Sequence, residues 1–348
     1  MEVVYGFDVL MLIITLFSVT VQVYLFFTVL FKSPQNMSQY RYFLCLFTFW
    51  DCFYNISFGL IACPEMLPPV SAVLVHGFGM ELVEFFGHGF CRFLLSMIIW
   101  GGADVIQLQL YCLMYRFCAI HPNPKLLKMF MSWPCIIILH ILGYAITFSL
   151  AIPFYFVVAD EEQTKFLLTN MSSEILVNKG PRTPIMFLNT ESSFIYGGSL
   201  YIFILCFLSI VLGIFMATHI ILYLRKHASS FTAKTYKMHL QLTAVLIVQQ
   251  ITPIFFIIIP IIWLFTIILN SDGNINISTT TLNIGITMVT LYPTSNALIC
   301  IVFITPYWDF TKQWISWILY KLRIIKKQMS ERRIVVVPTN ISTMAYVG

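Results

Sequence analysis

A membrane-embedded bundle of seven α-helices is the fold class this sequence predicts, and three observations carry it. Of 348 residues, 59% are hydrophobic and only 10% charged, where soluble domains carry about 25% charged residues. The charges are spaced so that seven long stretches hold none or one. The basic residues are also sorted: 16 of the 20 fall on one side of the membrane when the spans alternate in direction.

Bilayer hydrocarbon is about 30 Å thick, so a spanning helix needs roughly 20 apolar residues. Trimming each stretch by hydropathy places the helices near 9–31, 42–63, 93–115, 134–158, 195–224, 240–269 and 281–304. The second is broken only by Asp51 and the third only by Asp104. The spans use most of the chain, so residues 1–304 form one bundle and 305–348 a tail. The N-terminus lacks a basic segment and a small-residue cleavage site before Val9, so the first stretch reads as a retained helix.

Lys and Arg stay on the cytoplasmic side because moving them across during insertion is costly. With the N-terminus outside, the inner segments hold Lys32, Arg41, Arg116, Lys125, Lys128, Arg225, Lys226, Lys234, Lys237 and seven basic residues from Lys312 to Arg333. The outer side keeps Arg92, Lys165, Lys179 and Arg182, among acids such as Glu65, Glu81, Asp160 and Glu162. Asn170 and Asn276 begin glycosylation sequons on that outer side. Among nine scattered cysteines, Cys63 and Cys91 flank one outer loop and are the candidate disulfide pair.

Several chemistries are excluded by what the spans lack. A retinal protein needs a lysine inside the bundle for its Schiff base, and no span contains one. His-Glu-x-x-His and Gly-x-Ser-x-Gly are absent, and the surroundings of Asp51 and Asp104 do not match intramembrane aspartyl proteases. No catalytic residue and no cofactor follow from the sequence. The apolar content leaves no room for nucleic-acid binding. A small-molecule transporter stays open as an alternative, although the first and last three spans show no repeat.

Depth can be counted from the cytoplasmic boundary at about 1.5 Å per residue. The count puts Gln22, Asp51, Asp104, Gln249 and Asn296 at one level near the midplane. Polar groups at that depth face the bundle interior, where partners or water satisfy them. Asp51 and Asp104 are therefore expected to face inward toward Asn296 and Gln249, the two carboxylates sharing a proton or holding a sodium ion. Pro253, near the middle of the sixth span, is the candidate hinge. In the second outer segment Glu81, Glu84 and His88 share one helical face and read as a solvated surface more readily than as metal ligands.

The third span ends in Leu113-Met114-Tyr115-Arg116-Phe117-Cys118, an arginine between aromatics at the cytoplasmic boundary. Any arginine there can snorkel to headgroups, but with seven spans it resembles the inner-end arginine of rhodopsin-like receptors. Ser33-Pro34-Gln35-Asn36 through Tyr40-Arg41-Tyr42, followed by Phe49-Trp50-Asp51, is similar to the first inner loop and second helix of nematode serpentine chemoreceptors of the Str superfamily. Gln249 through Pro253 and Pro260 resemble the sixth helix of class H, with class I close. Thr305-Pro306-Tyr307 is similar to the Pro-Tyr-Arg that closes their seventh helix, with Trp308 in place of the arginine.

The resemblance implies a G-protein-coupled receptor for an environmental chemical. Its partners would be a heterotrimeric G protein, a small-molecule or volatile ligand, and the lipid bilayer. The site would be the plasma membrane, in the sensory cilia of chemosensory neurons. Tyr115, Arg116, Lys234 and Lys237 are then the inner-switch residues. The ligand-binding residues stay unassigned, and the acidic outer loops leave a peptide ligand as the alternative within the receptor class. After the seventh span, Phe310, Trp314, Trp317, Ile318 and Lys321 recur at helical spacing. They predict an interfacial amphipathic helix over 308–321.

Overall fold

The computed structural model describes residues 2–33, 38–67, 72–170, 184–188, 193–230, 232–269 and 279–321. Asn276 and the tail beyond Lys321 lie outside them. The spanning helices are α1 (Glu2–Lys32), α2 (Ser38–Asn55), α4 (Gly89–Ile120), α6 (Trp133–Val157), α8 (Ser193–Lys226), α9 with α10 (Ala233–Pro253 and Ile259–Leu269) and α11 (Thr279–Phe303). Short helices α3 (Gly79–Phe86), α5 (Pro124–Phe130) and α7 (Glu161–Asn170) lie between them, and α12 (Thr305–Lys321) follows. All seven membrane spans overlap the stretches read from the sequence.

The third span overruns its expected bounds at both ends, running Gly89–Ile120. A helix of that length is about 48 Å long, well beyond the hydrocarbon thickness, so hydropathy sees only its middle. The same overrun places Lys234 and Lys237 within helix α9 rather than in a free inner loop. This third span is the axis of the bundle, packed against the second, fourth, fifth and sixth spans, while the first closes the ring against the seventh.

Two spans change helical pitch. Ile56–Ala62 continues α2 as a π-helix, and Ile254–Ile258 is a π-turn between α9 and α10. Pro253 stands at the start of the second, where its missing N–H leaves no ordinary helical bond to make. The first ends at Cys63, whose φ of 40° is left-handed and turns the chain out of the membrane.

On the outer side β1 (Pro64–Met66), β2 (Ala72–Val75) and β3 (Ile185–Phe187) form an antiparallel sheet in that order. It is tied to the second span because His76 and Phe78 donate backbone hydrogen bonds to the carbonyls of Ala62 and Leu60. Those carbonyls would otherwise be orphaned at the helix end. At Gly77 an added Cβ would collide with the carbonyl oxygens of Leu60 and Ile61. Gly77→Ala must therefore move backbone, and a thermal-melting scan should show about 1–3 kcal/mol lost, as for an overpacked core. An unchanged melting temperature would mean that this joint is loose.

Helix α7 opens on a capping box, Gln163 N–H donating to Asp160 Oδ1 at 2.8 Å and Asp160 N–H to Gln163 Oε1 at 3.3 Å. On its surface the hydrogen bond from Lys165 holds the Glu161 carboxyl below its usual pKa. Asn170 is the last residue of this helix.

The candidate disulfide is corrected: Cys63 and Cys91 are both free and both buried. They pack in different places, Cys63 with Met11, Met66, Leu282 and Ile286, Cys91 in the main core. Spacing along a loop brought them to the same end of the bundle without aiming them at each other.

The seventh span ends at Phe303, and α12 begins at Thr305 with Pro306 in its first turn. Tyr307 is fully buried and its hydroxyl lies 2.7 Å from Ser33 Oγ, fastening this junction to the end of α1. Within α12, Trp314 and Trp317 are exposed, and Lys321 Nζ lies 5.0 Å from the Trp317 ring centre.

Candidate functional site

Three sites lie within the bundle. At mid-membrane Asp51 accepts hydrogen bonds from Gln22 Nε2 at 3.1 Å and Asn296 Nδ2 at 3.2 Å. Asn55 Nδ2 donates to Gln22 Oε1 at 3.2 Å. Gln249 Nε2 donates to the Asn296 carbonyl at 3.4 Å and lies 3.1 Å from Cys300 Sγ. All five polar residues are buried to within 1%. The first, second, sixth and seventh spans are thus joined through one network in a medium that offers no water to compensate a broken link.

The third span does not contribute Asp104 to that network. Asp104 accepts instead from Thr147 Oγ1 of the fourth span at 2.9 Å. Asp51 and Asp104 thus bond to different helices, and no hydrogen bond links them among the described residues. Gln109, one and a half turns further along, faces the seventh span and donates to Tyr292 Oη at 3.2 Å. Asn55 and Gln109 were missed from the sequence. Asn55 carried a usable signal, standing four residues after Asp51 on the same helical face.

At the inner end Arg116 is 3% exposed. Its guanidinium lies 4.0 Å from the Tyr40 ring centre and 6.0 Å from that of Tyr115. Tyr115 is itself buried, stacked on Tyr40 at 5.7 Å and against Phe43 at 5.6 Å. Nε and Nη2 of Arg116 have no hydrogen-bond partner among the described residues. The cation is held by aromatic faces rather than by a carboxylate. Lys237 is exposed on α9.

Beside the polar network a cavity of about 620 Å³ opens mainly among the third to sixth spans, with Tyr54 and Phe58 of the second and Ile286 and Val289 of the seventh also in its wall. Its walls are mainly aliphatic, with a few aromatic rings, and its few polar groups are Tyr54, Gln107, Tyr111, Thr147 and Ser209. The floor is self-satisfied: Gln107 Nε2 donates to Tyr111 Oη at 2.9 Å, and Tyr111 Oη to the Leu139 carbonyl at 2.8 Å. Gly143 makes this possible, since a Cβ there would strike both Gln107 and Tyr111. Ser209 Oγ has no hydrogen-bond partner among the described residues. Met66, Val73, Met186 and Leu188 close the outer end.

Potential metal ligands gather away from Glu81, Glu84 and His88. Glu81 and Glu84 are both exposed, and His88 lies 3.1 Å from the Ala159 carbonyl. Asp8, Glu65 and His76 instead bring their ligand atoms within 4.8 Å of one another. His76 directs Nε2 to Glu65 at 2.7 Å and Nδ1 to Asp8 at 3.5 Å. Its ring thus spans two carboxylates, bracing the first helix against the sheet, rather than converging with them on one ion.

Seven spans of alternating direction, enclosing an apolar cavity beside a polar network that joins four of them, have the architecture of a heptahelical receptor of the G-protein-coupled class. The chain belongs to the family of serpentine type 7TM GPCR chemoreceptors Srh, whose profile matches residues 4–317. It is a receptor family and not an enzyme family, and coupling to a G protein from a multi-pass position in the membrane comes with membership. The fold is similar to the crystal structure of squid rhodopsin, with a TM-score of 0.60 and 15% identity over 91% of this chain and 87% of that one. No curated protein matches the chain.

Proposed function

We propose that this receptor detects a small, mainly apolar molecule seated in the cavity among the third to sixth spans. It would report occupancy to a heterotrimeric G protein at the inner end, in the sensory cilia of chemosensory neurons. The cavity carries the reading. Its size is within the range of small-molecule sites, and its wall is apolar with few polar groups, the pattern expected of such sites. Ser209 offers a hydroxyl for one polar atom of the ligand.

A ligand shifts the bundle only if it binds two arrangements with different affinity. The π-turn after Pro253 is the element suited to bend, because its backbone bonding is already irregular. Motion of the sixth span there would displace Gln249 from Asn296 and carry Lys234 and Lys237 outward, beside an Arg116 released from Tyr40. The aromatic face of α12, with Trp314 and Trp317, would rest in the membrane interface.

The test is a panel of volatile alcohols, ketones and esters applied to cells expressing the receptor, with a calcium readout. Ile106 lines the cavity wall, and Ile106→Trp should weaken the response to any active compound about tenfold or more, the cost of an overfilled pocket. Surface staining should be unchanged. Equal potency in the variant and the parent would reject the cavity as the ligand site.

A further inference from the structure

The cavity is walled on its outer end and open on its side. Met66 and Met186 of the sheet line its outer wall and are 8% and 3% exposed, so this wall is itself packed. Between the fourth and fifth spans the situation reverses. Four residues that line the cavity there, Leu142, Ile146, Leu208 and Leu212, are 58%, 48%, 54% and 44% exposed. Met66 and Met186 line the same cavity and are almost wholly buried, so facing the cavity does not by itself half-expose a residue. These four therefore form a rim, with one edge in the cavity and the other in the surrounding hydrocarbon. Leu142 and Ile146 lie near the middle of Trp133–Val157, and Leu208 and Leu212 near the middle of Ser193–Lys226, so the rim opens at the depth of the acyl chains.

We propose that the ligand is a molecule dissolved in the bilayer, which reaches the cavity laterally through this portal and not across the outer surface. The inference rests on the cavity being the ligand site, and it narrows the ligand class. A rim made of leucine and isoleucine offers a charged solute no replacement for its hydration, whereas an alkyl chain crosses it without loss. Ser209, on the fifth span between Leu208 and Leu212, lines the cavity here, and its buried hydroxyl has no partner among the described residues, so a turn of its side chain would bring it to a ligand. The ligand chemistry that fits is an alkyl or alkenyl chain bearing one uncharged polar group, such as a long-chain alcohol, ketone or ester.

A portal is a kinetic feature, so narrowing it should slow filling and emptying equally and leave equilibrium occupancy unchanged. The purified full-length receptor in nanodiscs is mixed with vesicles carrying a decyl-chain diazirine and photolysed at increasing times. Adducts on the cavity-lining segment Gly102–Ile106 are then counted by mass spectrometry. The double variant Leu142→Trp with Leu208→Trp should fill about tenfold more slowly and reach the same plateau, as expected when a barrier changes and a binding site does not. The widened variant Leu142→Ala with Leu208→Ala should fill faster, which keeps the test decisive if the bulky pair fails to fold. Ile106→Trp, which occupies the cavity itself, should lose the plateau. Loss of the plateau in Ile106→Trp together with parental filling rates in both rim variants would overturn the portal while leaving the cavity as the site. A full plateau in Ile106→Trp would overturn the cavity, and the portal with it.

Discussion

Arg116→Leu is expected to abolish G-protein activation while leaving the folded receptor as stable as before or more so. The guanidinium is 3% exposed, and two of its nitrogens lack a hydrogen-bond partner among the described residues. Its compensation is the Tyr40 ring at 4.0 Å, and a desolvated cation–π contact is worth about 2 kcal/mol. A buried charge without a carboxylate costs several kcal/mol in desolvation. An apolar residue of similar reach removes both terms, so the net change should lie between zero and about 4 kcal/mol of added stability. Arg116→Lys should be worse on both counts, because an ammonium is more strongly hydrated and has no plane to stack on Tyr40. Nucleotide exchange by the G protein and thermal melting of the same preparations check this. A leucine variant that couples normally, or that melts several degrees lower, would show that the arginine is held for packing alone.

The second large effect is at Asp51. Its two carboxyl oxygens accept from Gln22 and Asn296 on opposite sides. Asp51→Leu strands both donors at a depth without water, and each buried unsatisfied group costs about 1–3 kcal/mol. The leucine variant should therefore lose about 2–6 kcal/mol and reach the surface poorly. Asp51→Asn is milder but not neutral, since an amide has one oxygen where the carboxylate has two, and its NH2 would meet another donor. One of the two links should break, at about 1–3 kcal/mol, and ligand potency should shift because Asn296 also holds Gln249 of the sixth span, the span proposed to move. Reversion by Asn296→Asp in the Asp51→Asn background, which restores a donor and acceptor facing each other, would mark the Asp51–Asn296 link as the one lost. Equal melting of the parent and both position-51 variants would remove the network from any role in stability.

The polar network separates what counting along a sequence reveals from what it hides. Counting inward from the boundary basic residues put Gln22, Asp51, Gln249 and Asn296 at one level, and they are linked by hydrogen bonds, because rise per residue is fixed by the helix. It gave the wrong partner for Asp104, because depth says nothing about rotation. Each residue turns a helix by about 100°. Gln109 is seven residues from Arg116 and so shares its face to within about 20°, while Asp104, twelve residues away, points about 120° aside. Taking Arg116 as the mark of the inward face would have selected Gln109. The cysteine pair failed for a related reason: both ends of a loop can reach one surface while their side chains enter separate cores.

The sequence by itself determined the number of spans, their direction, the identity of the family and the depth of its polar residues. Each of these follows from one-dimensional quantities: hydrocarbon thickness over helical rise, the cost of translocating Lys and Arg, and short motifs in a fixed order. Only the tertiary structure decided which faces of the helices meet. That choice made a cavity beneath a sheet whose strands are separated by more than a hundred residues, caged Arg116 between tyrosines of two helices, and drew Asp8, Glu65 and His76 together. In a bilayer almost every outward residue is as apolar as an inward one, so the periodicity that marks the buried face of a soluble helix is faint. Rotation about each helix axis is fixed by packing against its neighbours, and that information is absent until the helices are assembled.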